Sequence, residues 1–249
     1  MHKKFIISLG LLLSSQVTQA SVIEHYGYSR DSSSTVVSDG KLEWLSWNIT
    51  KGMSIQSALA AFSADGWRLA NSRQLTDLFG TFRFGLPKSS WDICETCSLI
   101  SEIAWTPEED SPADHFVSLF GFTELLRCAN VTSTYCYSQN DPAAESWVMF
   151  GDDSNNDGWF RSASVIGDMT FVMSQNATNQ YSGRAMFLAD NVHKFKLTSK
   201  NSNVGVALVR DAPIVNPPSS IPTPGSLSIL LAGIFIPLFR NRSERRVIP

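Results

Sequence analysis

Two apolar, charge-free segments lie at opposite ends of this 249-residue chain, and they limit what can belong to its folded core. At the front, Lys3 and Lys4 precede an apolar run, residues 5–15, that is too short to span a bilayer, and small residues follow up to Ala20. This order is typical of a signal peptide that is cleaved after export, the alternative being a buried N-terminal helix. We therefore predict that residues 1–20 are a signal peptide and that the fold begins at Ser21.

The other end of the chain combines a stiff segment with an apolar one. Residues 211–224 form a predicted Pro-rich tether, since they hold five prolines, which favour an extended chain: Pro213, Pro217, Pro218, Pro222 and Pro224. The 15 residues 225–239 carry no charge and would reach about 22 Å as a helix, short of a ~30 Å hydrocarbon core. Four basic residues follow and would stay on the cytoplasmic side: Arg240, Arg242, Arg245 and Arg246.

The motif Pro222-Thr223-Pro224, the apolar segment and the arginines together make a three-part tail. Over residues 221–246 it resembles the PEP-CTERM sorting signal of exopolysaccharide-producing Gram-negative bacteria. The resemblance implies an exosortase as partner, a membrane enzyme that cuts near the motif and releases or re-attaches the protein at the cell surface. Thr223 stands where that family has a Glu, so a variant sorting enzyme or an ordinary single-span anchor in the inner membrane is the alternative. We expect residues 225–246 to be a sorting and membrane tail.

The charges are unevenly distributed along the chain. It has 20 Lys and Arg against 23 Asp and Glu, but six of the basic residues and one acidic residue lie in the two end segments, so the middle carries a formal charge of −8. A surface that binds nucleic acid or anionic lipid needs clustered Lys and Arg, and the middle has no such cluster. The sequence therefore argues against a nucleic-acid partner.

Residues 21–210 contain no long linker and no repeat, which predicts one globular domain. Asp39-Gly40 between residues 35–37 and 42–47 is a hairpin signal. Ser54 is placed to cap a helix that ends near Ala64, before Asp65-Gly66. Further strands are predicted at residues 67–70, 146–150, 158–163, 169–173, 184–188 and 204–209.

A second helix is predicted after Asn71, which forms a plausible capping box with Gln74 and would turn Leu75, Leu78 and Phe79 inward. The fold class that follows is α+β, with mixed short strands and two or three helices. The pattern of residues 42–45, 58–62, 66–70, 74–79, 119–121 and 206–210 also resembles one found in uncharacterised PEP-CTERM proteins. More distantly, it resembles bacterial domains of the C-type-lectin-like and formylglycine-generating-enzyme-like fold, from which no activity is carried over.

Four cysteines lie in the predicted exported domain. An oxidising compartment favours two disulfides among three possible pairings. The pairing of first choice joins Cys94 to Cys97 and Cys128 to Cys136, because each partner is near in sequence. The Cys94-x-x-Cys97 spacing is also found in redox pairs and in half of a zinc site, and both stay open as alternatives.

Residues 153–158 match the first half of a calcium-binding loop. Asp153, Asn155 and Asp157 would be the ligands, and Gly158 would permit the sharp turn. Position twelve of the pattern is Ser164 instead of a bidentate Glu, so a solvated hairpin turn is the alternative. The sequence therefore predicts no cofactor, with calcium at this loop as the alternative.

The predicted domain has no recognisable motif of nucleophile and base. We therefore expect a non-enzymatic binding or structural module at the cell surface or in the extracellular matrix, with polysaccharide as a possible ligand. Trp159, beside the polar turn, is the best candidate for stacking on a sugar. The alternative is an envelope carbohydrate-active enzyme that uses acids among Glu108, Glu109, Asp110 and Asp114.

Overall fold

Pairing between distant segments dominates the computed structural model of this protein, which describes residues 21–104, 111–126, 143–173 and 177–213, with the backbone alone for 168–173 and 177–181. The chain divides into two units, Met1–Ala212 and Pro213–Pro249, and the fold described here lies in the first. The strands are β1 Val22–His25, β2 Tyr28–Asp31, β3 Val36–Ser38, β4 Leu42–Leu45, β5 Arg68–Leu69, β6 Leu99–Ala104, β7 Glu124–Leu126, β8 Ala143–Phe150, β9 Arg161–Met173, β10 Ala177–Leu188, β11 Gly205–Val206 and β12 Leu208–Asp211. The α-helices are α1 Ile55–Phe62, α2 Ser72–Phe82, α3 Pro112–Phe120 and α4 Asp190–His193.

The first sheet has the strand order β1-β2-β3-β4-β12-β5. Its β3–β4 hairpin confirms the prediction at Asp39-Gly40, with Val37 opposite Trp44. The Asp39 carboxylate closes the turn, since its Oδ1 accepts from the backbone N–H of Lys41 at 2.8 Å and of Leu42 at 2.7 Å. The last strand, β12, lies antiparallel to both β4 and β5, so the end of the domain joins its beginning.

The second sheet has the order β11-β8-β9-β10-β6, with β7 paired to β8. The prediction of two strands at 158–163 and 169–173 is wrong, because β9 runs without a break from Arg161 to Met173. The predicted break between these two strands contains Gly167, yet β9 hydrogen-bonds to β8 on one side and β10 on the other. Pairing on both edges outweighs a local turn preference.

Residues 204–209, predicted as one strand, belong to both sheets. Val206 lies in β11, parallel to β8, whereas Leu208 begins β12 in the first sheet. Between them the Ala207 N–H donates to Met149 at 3.0 Å, and its carbonyl accepts from the Ala70 N–H at 2.9 Å. This crossing connects the two sheets directly.

The helix starts agree with their capping signals. Ser54 and Ser57 form a reciprocal capping box at α1, and Asn71 and Gln74 form one at α2. Beyond α1, a 3-10 turn at Ser63–Asp65 ends at Gly66, whose φ of 82° is in the left-handed region. The sequence prediction omitted α3, although Ser111 caps it and Pro112 occupies its first turn. Together with α4 this makes four described helices in an α+β fold, against two or three predicted.

Helix α3 packs closely against the second sheet because two glycines leave room for it there. Gly167 of β9 and Gly183 of β10 lie directly opposite each other. A Cβ atom at Gly183 would collide with the Ala113 side chain, and one at Gly167 would collide with Asp114. The helix can thus approach the strands closely and cover the buried aromatic core, which comprises Trp44, Trp47, Phe79, Phe82, Phe84, Trp91, Phe116, Phe120, Phe150 and Phe187.

Candidate functional site

A cleft of about 980 Å³ opens between helix α2, the segment that precedes β6 and the turn that precedes β9. Its volume falls in the range of small-molecule sites. The side chains that line it belong to the start of α2, the 3-10 turn Lys88–Trp91, the loop 92–95 and the turn 152–154, with one residue from β9. These residues are Ser72, Arg73, Thr76, Asp77, Lys88, Ser89, Asp92, Ile93, Glu95, Asp152, Ser154 and Arg161.

The first wall of the cleft is α2, and its position follows from local hydrogen bonds. The Asn71–Gln74 capping box sets the start of the helix. Thr76 Oγ1 then donates to the Trp91 carbonyl at 3.1 Å, which ties α2 to the neighbouring 3-10 turn. An ion pair at 3.0 Å between Lys88 Nζ and Asp77 Oδ1 repeats this link at the exposed rim.

The second wall includes Glu95, which lies in the turn closed by the disulfide between Cys94 and Cys97. The Cys97 N–H donates to the Cys94 carbonyl at 3.0 Å, so the four residues form a tight turn that presents Glu95. The Glu95 carboxylate accepts hydrogen bonds from both the backbone N–H and the hydroxyl of Ser154. The disulfide turn therefore holds the 152–154 turn in place. Cys128 and Cys136 lie outside the described residues.

Arg161, at the start of β9, forms the floor of the cleft and is 2% exposed. Its guanidinium carbon lies 5.4 Å from the ring centroids of both Phe150 and Phe187. Nη1 donates to the Ile93 carbonyl at 3.5 Å, the limit of a hydrogen bond. Nε and Nη2 have no hydrogen-bond partner among the described residues. Burial lowers the pKa of Arg161, and the nearby carboxylates of Glu95 and Asp190 oppose that effect.

Asp190 is a buried acid close enough to Arg161 to affect its pKa, and its hydrogen bonding is also incomplete. It is fully buried at the start of α4, and its Oδ2 accepts from Asn155 Nδ2 at 2.9 Å. Its Oδ1 has no partner within the described part of the chain. Sequence reasoning missed both Asp190 and Arg161, because nothing in the local pattern marks either one as buried.

The three predicted calcium ligands accept hydrogen bonds from backbone N–H groups of their own turn. Asp153 accepts from the Gly158 N–H at 3.1 Å, and Asn155 Oδ1 accepts from the Asp157 N–H at 3.1 Å. Asp157 Oδ1 accepts from the Trp159 N–H at 2.8 Å. Over the described ranges, no three His, Cys, Asp or Glu side chains are grouped as metal ligands would be. Calcium binding stays a prediction.

Trp159 is half-buried and does not line the cleft. Lys196 Nζ lies 4.7 Å from the centroid of its ring, so a cation already covers one face. The cleft itself contains no aromatic side chain among its described lining residues. A stacking role for Trp159 would thus concern a separate patch of surface.

Among the acids of the alternative enzyme hypothesis, Asp114 belongs to the described residues, and it does not line the cleft. Asp114 caps α3, where its Oδ2 accepts from the Ser111 N–H at 3.1 Å and from the Ser111 hydroxyl at 2.7 Å. The neighbouring His115 stacks on His25, with 3.8 Å between ring centroids. Glu108, Glu109 and Asp110 lie outside the described residues.

The predicted address segments also fall outside the described residues. These are the signal peptide at residues 1–20, the motif Pro222-Thr223-Pro224, the tail at 225–246 and the four arginines Arg240, Arg242, Arg245 and Arg246. Within the described ranges, no helix has the length and apolar character needed to cross a bilayer.

A comparison of the chain with protein-family models, with curated proteins and with solved structures finds no match. The function of this protein therefore has to be argued from its own residues.

Proposed function

We propose that this chain is an exported protein whose folded domain is a binding module, sorted to the cell surface or the extracellular matrix by its C-terminal tail. The main support for a binding role is the polar cleft with Arg161 at its floor. The cleft has the volume of a ligand site, and hydrogen bonds connect its walls. Walls set in place before binding reduce the entropy that a ligand must overcome. A matrix polysaccharide fits such a site, because hydroxyl, carboxylate and basic side chains can all hydrogen-bond to sugar hydroxyls.

Export is supported by the disulfide as well as by the address segments. Disulfides persist in compartments outside the reducing cytosol, and the Cys94–Cys97 bond stiffens one wall of the cleft. The basic and apolar residues 1–20 and the tail at 225–246 indicate the same destination. An exosortase is the proposed partner for residues 222–224, and the inner membrane is the proposed anchor before sorting.

We also propose a C-type-lectin-like arrangement for the domain. Its last strand, β12, returns to the first sheet between β4 and β5, near the start of the chain. Irregular segments at residues 88–98 and 151–160 then line the cleft beside the second sheet. This combination of paired chain ends and long loops supports the lectin-like arrangement.

Sorting is tested by following the full chain, with an epitope tag inserted after the exposed Lys200, in hosts with and without an exosortase. We expect a shorter product outside cells that carry the enzyme and full-length protein in the inner membrane of cells that lack it. A Pro222→Ala, Pro224→Ala variant should stay full-length, whereas the matched Pro217→Ala, Pro218→Ala variant should be processed. Full-length protein in the inner membrane of both hosts would contradict the sorting proposal.

A further inference from the structure

We propose that the cleft binds an acidic sugar, with the sugar carboxylate held by Arg161. This inference rests on the proposed function, because it names the ligand class of the same binding module. It depends on three features of the cleft: the buried guanidinium at its floor, the start of α2 on one wall and the balance of charges around it.

The guanidinium of Arg161 is a charged donor with unused hydrogen-bonding capacity. It is 2% exposed, and it makes one long hydrogen bond, to Ile93. Nε and Nη2, which lie on one edge of the planar group, have no partner in the described part of the chain. A carboxylate matches such an edge with two parallel hydrogen bonds.

The acids near Arg161 form their hydrogen bonds with other groups. Both oxygens of Glu95 accept from Ser154, and Asp190 Oδ2 accepts from Asn155, while Asp190 Oδ1 has no partner among the described residues. Neither carboxylate forms an ion pair with Arg161 among the described residues. Because a buried charge is costly unless it is paired, a carboxylate that enters from the cleft would gain a strong interaction.

The wall nearest α2 adds weaker attraction for a negative group. The hydroxyls of Ser72 and Thr76 donate to Asp152 and to the Trp91 carbonyl, so the attraction comes from the start of this 11-residue helix, which is its positive end. Arg73 lines the same wall and is exposed, with no ion pair to a described residue. The α2 wall lies at the mouth of the cleft, and Arg161 lies at its floor. A ligand with one acid group among hydroxyls can therefore bind Arg161 with the acid group and the wall with its hydroxyls.

The charge balance distinguishes a carboxylate from a more highly charged anion. The described lining has three basic side chains, Arg73, Lys88 and Arg161, against four acidic ones, Asp77, Asp92, Glu95 and Asp152. A phosphate dianion would be repelled by the acidic rim, whereas a single carboxylate on a neutral, hydroxyl-rich molecule brings less charge near it. The acidic rim can in turn accept hydrogen bonds from sugar hydroxyls.

The test is calorimetric titration of the full chain in detergent with a tetrasaccharide of three glucose units and one glucuronate, the matching all-glucose tetrasaccharide and inorganic phosphate. We expect the acidic sugar to bind at least about tenfold more tightly than the neutral one, since a charge-assisted hydrogen bond contributes that much. Phosphate should not bind with an affinity comparable to that of the acidic sugar, and it should not displace that sugar from the cleft.

Arg161→Gln should lower the affinity for the acidic tetrasaccharide roughly 10- to 100-fold and bring it close to that of the neutral one. Lys41→Gln, at an exposed position outside the cleft, is the matched control and should leave the affinity unchanged. Circular dichroism reports whether each variant is folded. If Arg161→Gln fails to fold, the wild-type comparison of acidic with neutral sugar decides the question.

Equal affinity for the two tetrasaccharides, tighter binding of phosphate, no binding of the acidic sugar, or an unchanged affinity in folded Arg161→Gln would each overturn the inference. Failure here is distinguishable from failure of the sorting proposal. Surface release without binding of the acidic sugar overturns the ligand alone, whereas binding by a chain that stays in the inner membrane overturns the sorting alone.

Discussion

Replacing Glu145 with Gln should make the protein more stable at alkaline pH and remove part of its pH dependence. Glu145 lies in β8, is 6% exposed, and its carboxyl group accepts a hydrogen bond from the Ser164 hydroxyl. Burial raises the pKa of Glu145 to about 7 from its ordinary value of 4.5. Glu124, opposite in β7, adds to the rise, while Ser164 and the charge of Arg184 oppose it.

The direction of the effect follows from proton binding. Between pH 4.5 and pH 7 the folded protein holds a proton on Glu145 that the unfolded chain has released. The stabilisation by this group is therefore fully present below pH 4.5 and is lost as the pH rises through about 7. A pKa difference of this size corresponds to about 3 kcal/mol, at 1.36 kcal/mol for each pH unit.

The assay is urea unfolding followed by tryptophan fluorescence at pH 5, 6, 7 and 8. In Glu145→Gln the neutral amide keeps an acceptor for Ser164 and does not ionise. The free energy of unfolding of the variant relative to wild type should rise by about 2 to 3 kcal/mol between pH 5 and pH 8. All ionisable groups other than residue 145 are present in both proteins, so their contributions cancel in the difference.

Glu24→Gln, at an exposed position in β1, is the matched control and should run parallel to wild type at every pH. The reasoning would be refuted if Glu145→Gln also ran parallel to wild type, or if its advantage grew toward acidic pH.

Two further predictions concern the elements that shape the cleft and the core. Asn71→Ala should lower the free energy of unfolding by about 1 kcal/mol, because it removes the α2 cap. Asn71→Ser keeps a capping oxygen and should retain most of that stability in urea unfolding. Equal stabilities of the two variants would contradict this role. Gly183→Val should lower the free energy of unfolding by about 1 to 3 kcal/mol, because the new side chain would collide with Ala113 and the Ile166 carbonyl. Adding Ala113→Gly should recover part of this loss in thermal unfolding. If nothing is recovered, the collision with α3 is not the cause of the loss.

Elements whose signals are local were predictable from the sequence. The Asp39-Gly40 hairpin, the helix cap at Ser54 and the capping box at Asn71 appear where predicted, since each depends on residues within a few positions of one another. Helix α3 carried a comparable signal in Ser111 and Pro112, which the prediction did not use. The two end segments can also be recognised from the sequence by their length, apolar character and flanking charge. Their roles remain predictions.

The tertiary structure decided the features that depend on distant partners. Strand β9 passes through Gly167 without turning because β8 and β10 bond to both of its edges. Residues 204–209 divide between two sheets because Met149 and Ala70 bond to Ala207 from opposite sides.

Arg161 shows most clearly what the sequence leaves open. In the sequence it is a basic residue at the start of a strand, with no neighbour that marks it for burial. In the structure it lies at the floor of a cleft lined by α2, the loop 92–95 and the 152–154 turn, and it contacts the rings of Phe150 and Phe187. The free energy of a buried charge depends on which groups surround it in space. Those groups come from segments as far apart as residues 72 and 187, so only the folded chain assembles the site.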